Sequence, residues 1–183
     1  MRNSGNIALI GIAVLAATAA YAQRPPAISG VTGTMATEAT IKDEQKAANK
    51  IIVATEDGVE RTYDAAKGML VHGGKGLEDL KPGTTVVIHY TVEGGVNTVQ
   101  EIDRVGDSGL RTTEGIVTNI DRGKKEITLR YDSGKVEKLK LTDRAAVDAG
   151  QALKTPPQGN ERIVVYYSDE AHGKIAHYFK PKS

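Results

Sequence analysis

The chain contains no cysteine. Disulfide staples, thiol catalysis, thiol–disulfide exchange and thiolate metal sites are therefore excluded. Tryptophan is missing as well, and Phe179 is the single phenylalanine. Any core must be built mainly from Val, Ile, Leu, Ala and Tyr. An excess of charge is also lacking, since 24 Lys and Arg stand against 23 Asp and Glu. The two signs are interleaved, as at Arg122, Lys124, Lys125 and Glu126. Such a surface exerts no long-range pull on nucleic acid or on anionic lipid, so neither is expected as a partner.

Long apolar runs are absent except near the N-terminus. There, Arg2 precedes an uncharged, largely apolar run over residues 7–20, followed by the small-x-small pattern Ala20-Tyr21-Ala22. The run falls short of the ~20 residues that span a bilayer. Its zones are those of a secretory signal peptide over residues 1–22. Cleavage there leaves 161 residues with 23 basic and 23 acidic side chains and no membrane span. The expected location is periplasmic or secreted. Residues 23–36, with Pro25, Pro26, Gly30 and Gly33, read as an extended linker.

Short alternating runs make up the remainder. Residues 38–43, 50–56 and 59–63 read as strands, with a tight turn at Asp57-Gly58. About twenty residues of weak strand character follow, within which residues 76–80 suit one helical turn ended by Pro82 and Gly83. Residues 84–92 (TTVVIHYTV) and 96–105 then form a hairpin around Gly94-Gly95. The second half repeats the plan, with strands at 114–121, 125–132 and 135–141, an irregular link over 142–160, and a closing hairpin at 162–168 and 174–179. A shift of 76 residues places Thr37-Glu38 on Thr113-Glu114, Ile51 on Ile127, Gly58 on Gly134 and Tyr90 on Tyr166, with a one-residue slip in the last hairpin. Three strands, a long link and a two-stranded hairpin are the element order of an OB-type barrel. The expected fold is all-β: two tandem five-stranded OB-like small barrels, at 37–106 and 113–181, joined by a linker at 107–112.

Three stretches carry a family resemblance: GIVTNID at 115–121 with ITL at 127–129 and DSGK at 132–135, and LKPG at 80–83 with VVI at 86–88. They resemble small OB-like barrels of bacterial exported proteins, several families of which have no assigned function. A more distant similarity is to the periplasmic copper- and silver-binding barrels of metal efflux systems. In those relatives paired Met and a His beside a Trp hold the metal. This chain has no Trp, and only Met35 and Met69 remain after cleavage, neither in a matching motif.

Candidate chemistry is sparse. The carboxylates sit mainly in turns, where Asp is favoured for bonding its own backbone. Among the four histidines, His172 and His177 are five apart, so an ideal strand points them to opposite faces. No metal ligands, no cofactor and no enzymatic activity are expected. The loop 71–76 (VHGGKG) lacks the Ser or Thr of a phosphate-binding P-loop, yet offers His72 and Lys75. The strand tyrosines are the more suggestive feature, since aromatics on OB-barrel faces stack ligands. The expected contact region comprises Tyr90, His89 and Tyr166, with His72 and Lys75 from the loop. The expected function is a non-enzymatic binding or structural module of the cell envelope, its partner an unknown envelope protein or small ligand. The alternative is periplasmic metal-ion binding, of copper or silver, or of zinc.

Overall fold

The computed structural model describes residues 34–45, 49–107, 109–153 and 161–182. The signal peptide expected at 1–22 and most of the linker expected at 23–36 lie outside these residues. β1 (Thr34–Gln45) begins inside the stretch expected to be linker. It is followed by β2 (Lys50–Thr55), β3 (Glu60–His72), β4 (Thr85–Glu93) and β5 (Val96–Arg104). The second set is β6 (Arg111–Asp121), β7 (Glu126–Arg130), β8 (Val136–Leu141), the helix α1 (Asp143–Asp148), β9 (Arg162–Glu170) and β10 (Gly173–Pro181).

Each set closes on itself. The strand orders are β1-β2-β3-β5-β4 and β6-β7-β8-β10-β9, both closed barrels. β3 runs parallel to β5 and β8 runs parallel to β10, and every other pairing is antiparallel. This is OB topology twice over. Closure removes sheet edges that a small β module would otherwise expose. Ile41, Ile51, Val53, Tyr63, Ile88, Val99 and Ile102 fill the first barrel. Val117, Ile127, Leu129, Leu139, Ile163, Val165 and Phe179 fill the second.

The repeat extends to register. Pairs in the first three strands match at a shift of 76, as with Ile41–Val53 and Val117–Leu129. β4 and β5 match β9 and β10 at a shift of 77, so that Ile88–Ile102 corresponds to Val165–Phe179. Tyr90 therefore corresponds to Tyr167, not to Tyr166, because the slip already lies in the fourth strand. Bulges recur at equivalent places. Lys42 and Thr118 are the extra residues in the first strands, and Gln100 and His177 those in the last strands.

Two links differ from expectation. Residues 64–72 were expected to be irregular but extend β3. Tyr63 and Ala65 are buried along it, and Gly68 takes φ 78°, where glycine carries no Cβ penalty. The register against β5 breaks at this point and resumes with Leu70, Val71 and His72 opposite Glu101, Ile102 and Asp103. In the second barrel the corresponding place is taken by α1. Thr142 caps it by accepting a bond from the Ala145 N–H at 3.0 Å. The helical turn expected at 76–80 is present as a short 3-10 segment, Leu77–Asp79.

The barrels pack together. Val87 of β4 is buried in the second barrel's apolar cluster, with Ala36 and Val105 beside it. The connection is tight, with Leu110 N–H bonded to the Arg104 carbonyl at 2.7 Å and Gly106 N–H to the Leu110 carbonyl at 2.9 Å.

Candidate functional site

On β5, Ile102 points into the barrel, so Glu101 and Asp103 point outward on the same side. His89 on β4 points outward beside them, opposite Glu101 in the pairing. On an isolated barrel all three would meet water. The second barrel covers them instead, leaving His89 and Asp103 at 0% exposure and Glu101 at 7%.

The covering elements bring complementary charge. Arg144 and Asp148 lie four apart on α1, hence on one face of it. Arg144 Nε donates to Glu101 Oε2 at 2.5 Å. Asp148 Oδ2 lies 2.8 Å from His89 Nδ1. Arg122 holds the helix in place by donating to the carbonyls of Ala146 and Ala149, both at 2.9 Å. From β10 comes His177, the bulge residue, whose Nδ1 is 3.2 Å from Asp103 Oδ2. Its Nε2 is 3.1 Å from Ser168 Oγ on β9. From the extended end of β3 comes His72, with Nε2 3.7 Å from Glu101 Oε1.

His89 sits between two carboxylates. Burial alone would lower its pKa, but bonding and charge from Asp103 and Asp148 outweigh that and push it up to about 9. The Nε2–Asp103 contact, at 3.5 Å, is an ion pair without hydrogen-bond geometry. Asp103 is held well below the ordinary carboxylate range. Burial opposes this, and its contacts to His177 and His89 prevail. Three buried carboxylates, Glu101, Asp103 and Asp148, gather here with the Arg144 guanidinium and the imidazoles of His89, His177 and His72.

His72, Glu101 and Asp103 form a group of possible metal ligands whose donor atoms all lie within 4.8 Å of one another. Each carboxylate has one oxygen occupied. Arg144 holds Glu101 Oε2, and His177 and His89 face Asp103 Oδ2. Asp103 Oδ1 is buried with no hydrogen-bond partner among the described residues. The cluster opens at His72 and His177 into a cleft of about 200 Å³, lined also by Arg104, Ser168 and Glu170.

Of the residues singled out from sequence, His72 and His89 converge on Glu101 and Asp103. The others lie elsewhere. Tyr166 was expected on an open barrel face, but it is buried between the barrels with its hydroxyl donating to Glu38 at 2.6 Å. Tyr90 is half-buried and packs edge-on against Tyr63, with ring centroids 5.0 Å apart. Lys75 is exposed, and its backbone N–H bonds to Asp79. The sequence pattern did not single out Glu101, Asp103, Arg144, Asp148 and Ser168, and it set His177 aside as one of two strand histidines on opposite faces. Two acids flanking a core isoleucine, and a charged pair four apart on a helix, were the available signals.

No protein-family model matches the chain, and no curated protein matches its sequence. Solved structures match parts of it. A crystal structure of Ag(I)CusF shares 12% identity over 39% of this chain and 96% of that chain, with a TM-score of 0.33. Apo-CusF from Escherichia coli shares 11% over 42% of this chain and 93% of that chain, with a TM-score of 0.34. The drosophila Unr CSD456 structure shares 12% over 81% of this chain and 62% of that chain, with a TM-score of 0.35.

Proposed function

We propose that this chain is an exported, non-enzymatic binding module that holds a divalent metal ion of the zinc class where its two barrels meet. The ligands are His72, Glu101 and Asp103. One observation carries the reading: three donors lie within 4.8 Å, and two of them are carboxylates buried on a rigid strand. Arg144 behind Glu101, and His89 behind Asp103, orient the ligands as outer-shell partners do in metal sites. Two carboxylates in the ligand set favour a dication. One imidazole with carboxylates suits Zn²⁺ and its neighbours, whereas Cu⁺ and Ag⁺ prefer sulfur. The chain has no Cys, and Met69 packs on the first barrel's core.

Calorimetric titration of the mature chain tests this. One equivalent of Zn²⁺ should bind, Ag⁺ should not compete, and His72→Ala should abolish binding. His72 is half-exposed, so that variant keeps the fold. Absence of Zn²⁺ binding by the unmodified chain refutes the reading.

A second reading rests on the chain of contacts Ser168 Oγ–His177 Nε2–Asp103 Oδ2 through His177 Nδ1, at 3.1 and 3.2 Å. This is the bonding order of a serine hydrolase triad. A fluorophosphonate probe that modifies Ser168 supports it, and an unmodified Ser168 rejects it. Zn²⁺ on Asp103 breaks the relay, so the two readings also predict opposite effects of zinc on labelling.

A further inference from the structure

The metal reading leaves a fourth position open, and the second barrel fills it. In a tetrahedral zinc site, with bonds of about 2.0–2.1 Å, adjacent donor atoms stand roughly 3.3 Å apart. Asp103 Oδ2 and His177 Nδ1 are 3.2 Å apart, in a hydrogen bond that a shared ion would replace. His72 Nε2 and Glu101 Oε1 are 3.7 Å apart. Two imidazoles on one zinc have ring centroids about 5 Å apart, and those of His72 and His177 are 6.2 Å apart, steeply inclined at 71°. His177 Nδ1 already touches one of the three ligands, and binding must draw it onto the others.

We infer that His177 is the fourth ligand, so that the bound ion bridges the two barrels, with His72, Glu101 and Asp103 from one and His177 from the other. This rests on the metal reading of the site and adds its coordination and its consequence. Several observations support the role of His177. It occupies a bulge, a device that re-aims a strand side chain. Its counterpart in the first barrel, Gln100, stays within its own hairpin, 3.4 Å from Thr91 Oγ1. Ser168 faces Nε2 and can accept its proton, leaving Nδ1 as the metal-binding nitrogen. His177 is also nearly buried, with its side chain 13% exposed, so little ordering is needed on binding.

The bridge makes metal affinity depend on barrel docking, and docking depend on metal. An outer-shell partner alone is commonly worth about 10–100-fold in affinity, so Ser168→Ala should weaken Zn²⁺ binding by about 10-fold, and His177→Ala by more. Co²⁺ in the unmodified chain should give the intense visible absorption of a four-coordinate site, and His177→Ala should diminish it. Imidazole ¹⁵N spectra of the unmodified chain provide a test that needs no variant. On adding Zn²⁺, the resonances of His72 and His177 should both shift, and that of His172 should not. A shift of His72 without His177, or unchanged affinity in His177→Ala, overturns the bridge and leaves the metal reading standing. No shift in any histidine removes both.

Discussion

His89 of the first barrel and Asp148 of the second face each other at 2.8 Å, and neither is reached by solvent. The contact joins a β4 residue to the end of α1 and makes the barrels' relative placement an electrostatic matter as well as an apolar one. Removing one partner of a buried ion pair leaves the other charged and uncompensated. Asp148→Ala should therefore destabilise the protein by about 3–5 kcal/mol in urea unfolding. A loss below about 1 kcal/mol would show that the pair is not buried in solution.

The same histidine sets a pH dependence in the metal-free protein. His89 faces Asp103 from β5 and Asp148 from α1, and its pKa rises to about 9 in the fold. The unfolded value is about 6.5. A raised pKa means that the folded state binds the proton more tightly. Its contribution is complete below about pH 6.5 and is lost as pH rises through about 9. The total is at most roughly 3 kcal/mol. Thermal unfolding in chelator should show Tm falling between pH 6.5 and 9, and His89→Gln should flatten that slope.

Metal removal should act in the opposite direction to metal loading at neutral pH. Zn²⁺ at about 100 times its Kd should stabilise the chain by roughly 2.7 kcal/mol. Chelator should reverse the gain. Acidification should weaken it, since imidazole and carboxylate ligands bind metal unprotonated. Scanning calorimetry with Zn²⁺ and with chelator measures both effects, and an unchanged Tm contradicts the site.

Gly150 marks a close approach in the second barrel. It adopts φ 62°, and a Cβ there would lie 2.0 Å from the Phe179 ring. Gly150→Ala combines overpacking with a left-handed backbone, for a cost of about 2–4 kcal/mol. Thermal denaturation of that variant should show a large loss, and a wild-type Tm contradicts this packing.

Much of the fold was legible in local pattern. Ile127 and Leu129 alternate with polar neighbours, and Gly58 and Gly134 turn the hairpins at φ 74° and 80°. The extension of β3 was not legible, because residues 66–72 show weak alternation and a glycine bulge. The helix α1 was not legible either, being only six residues long. At the site, His72 and His89 stood out as histidines. Their partners did not, because Glu101 and Asp103 look like the polar face of an ordinary strand.

The amino-acid order by itself determined two barrels, since alternation and turn chemistry act over a few neighbouring residues. It also excluded sulfur ligands other than methionine. Only tertiary structure decided which outward faces meet. Docking buried His89, Glu101 and Asp103, removed them from water, and set Arg144, Asp148 and His177 against them. No local pattern encodes that juxtaposition, because its members are separated by up to about a hundred residues and come together only when two finished surfaces touch.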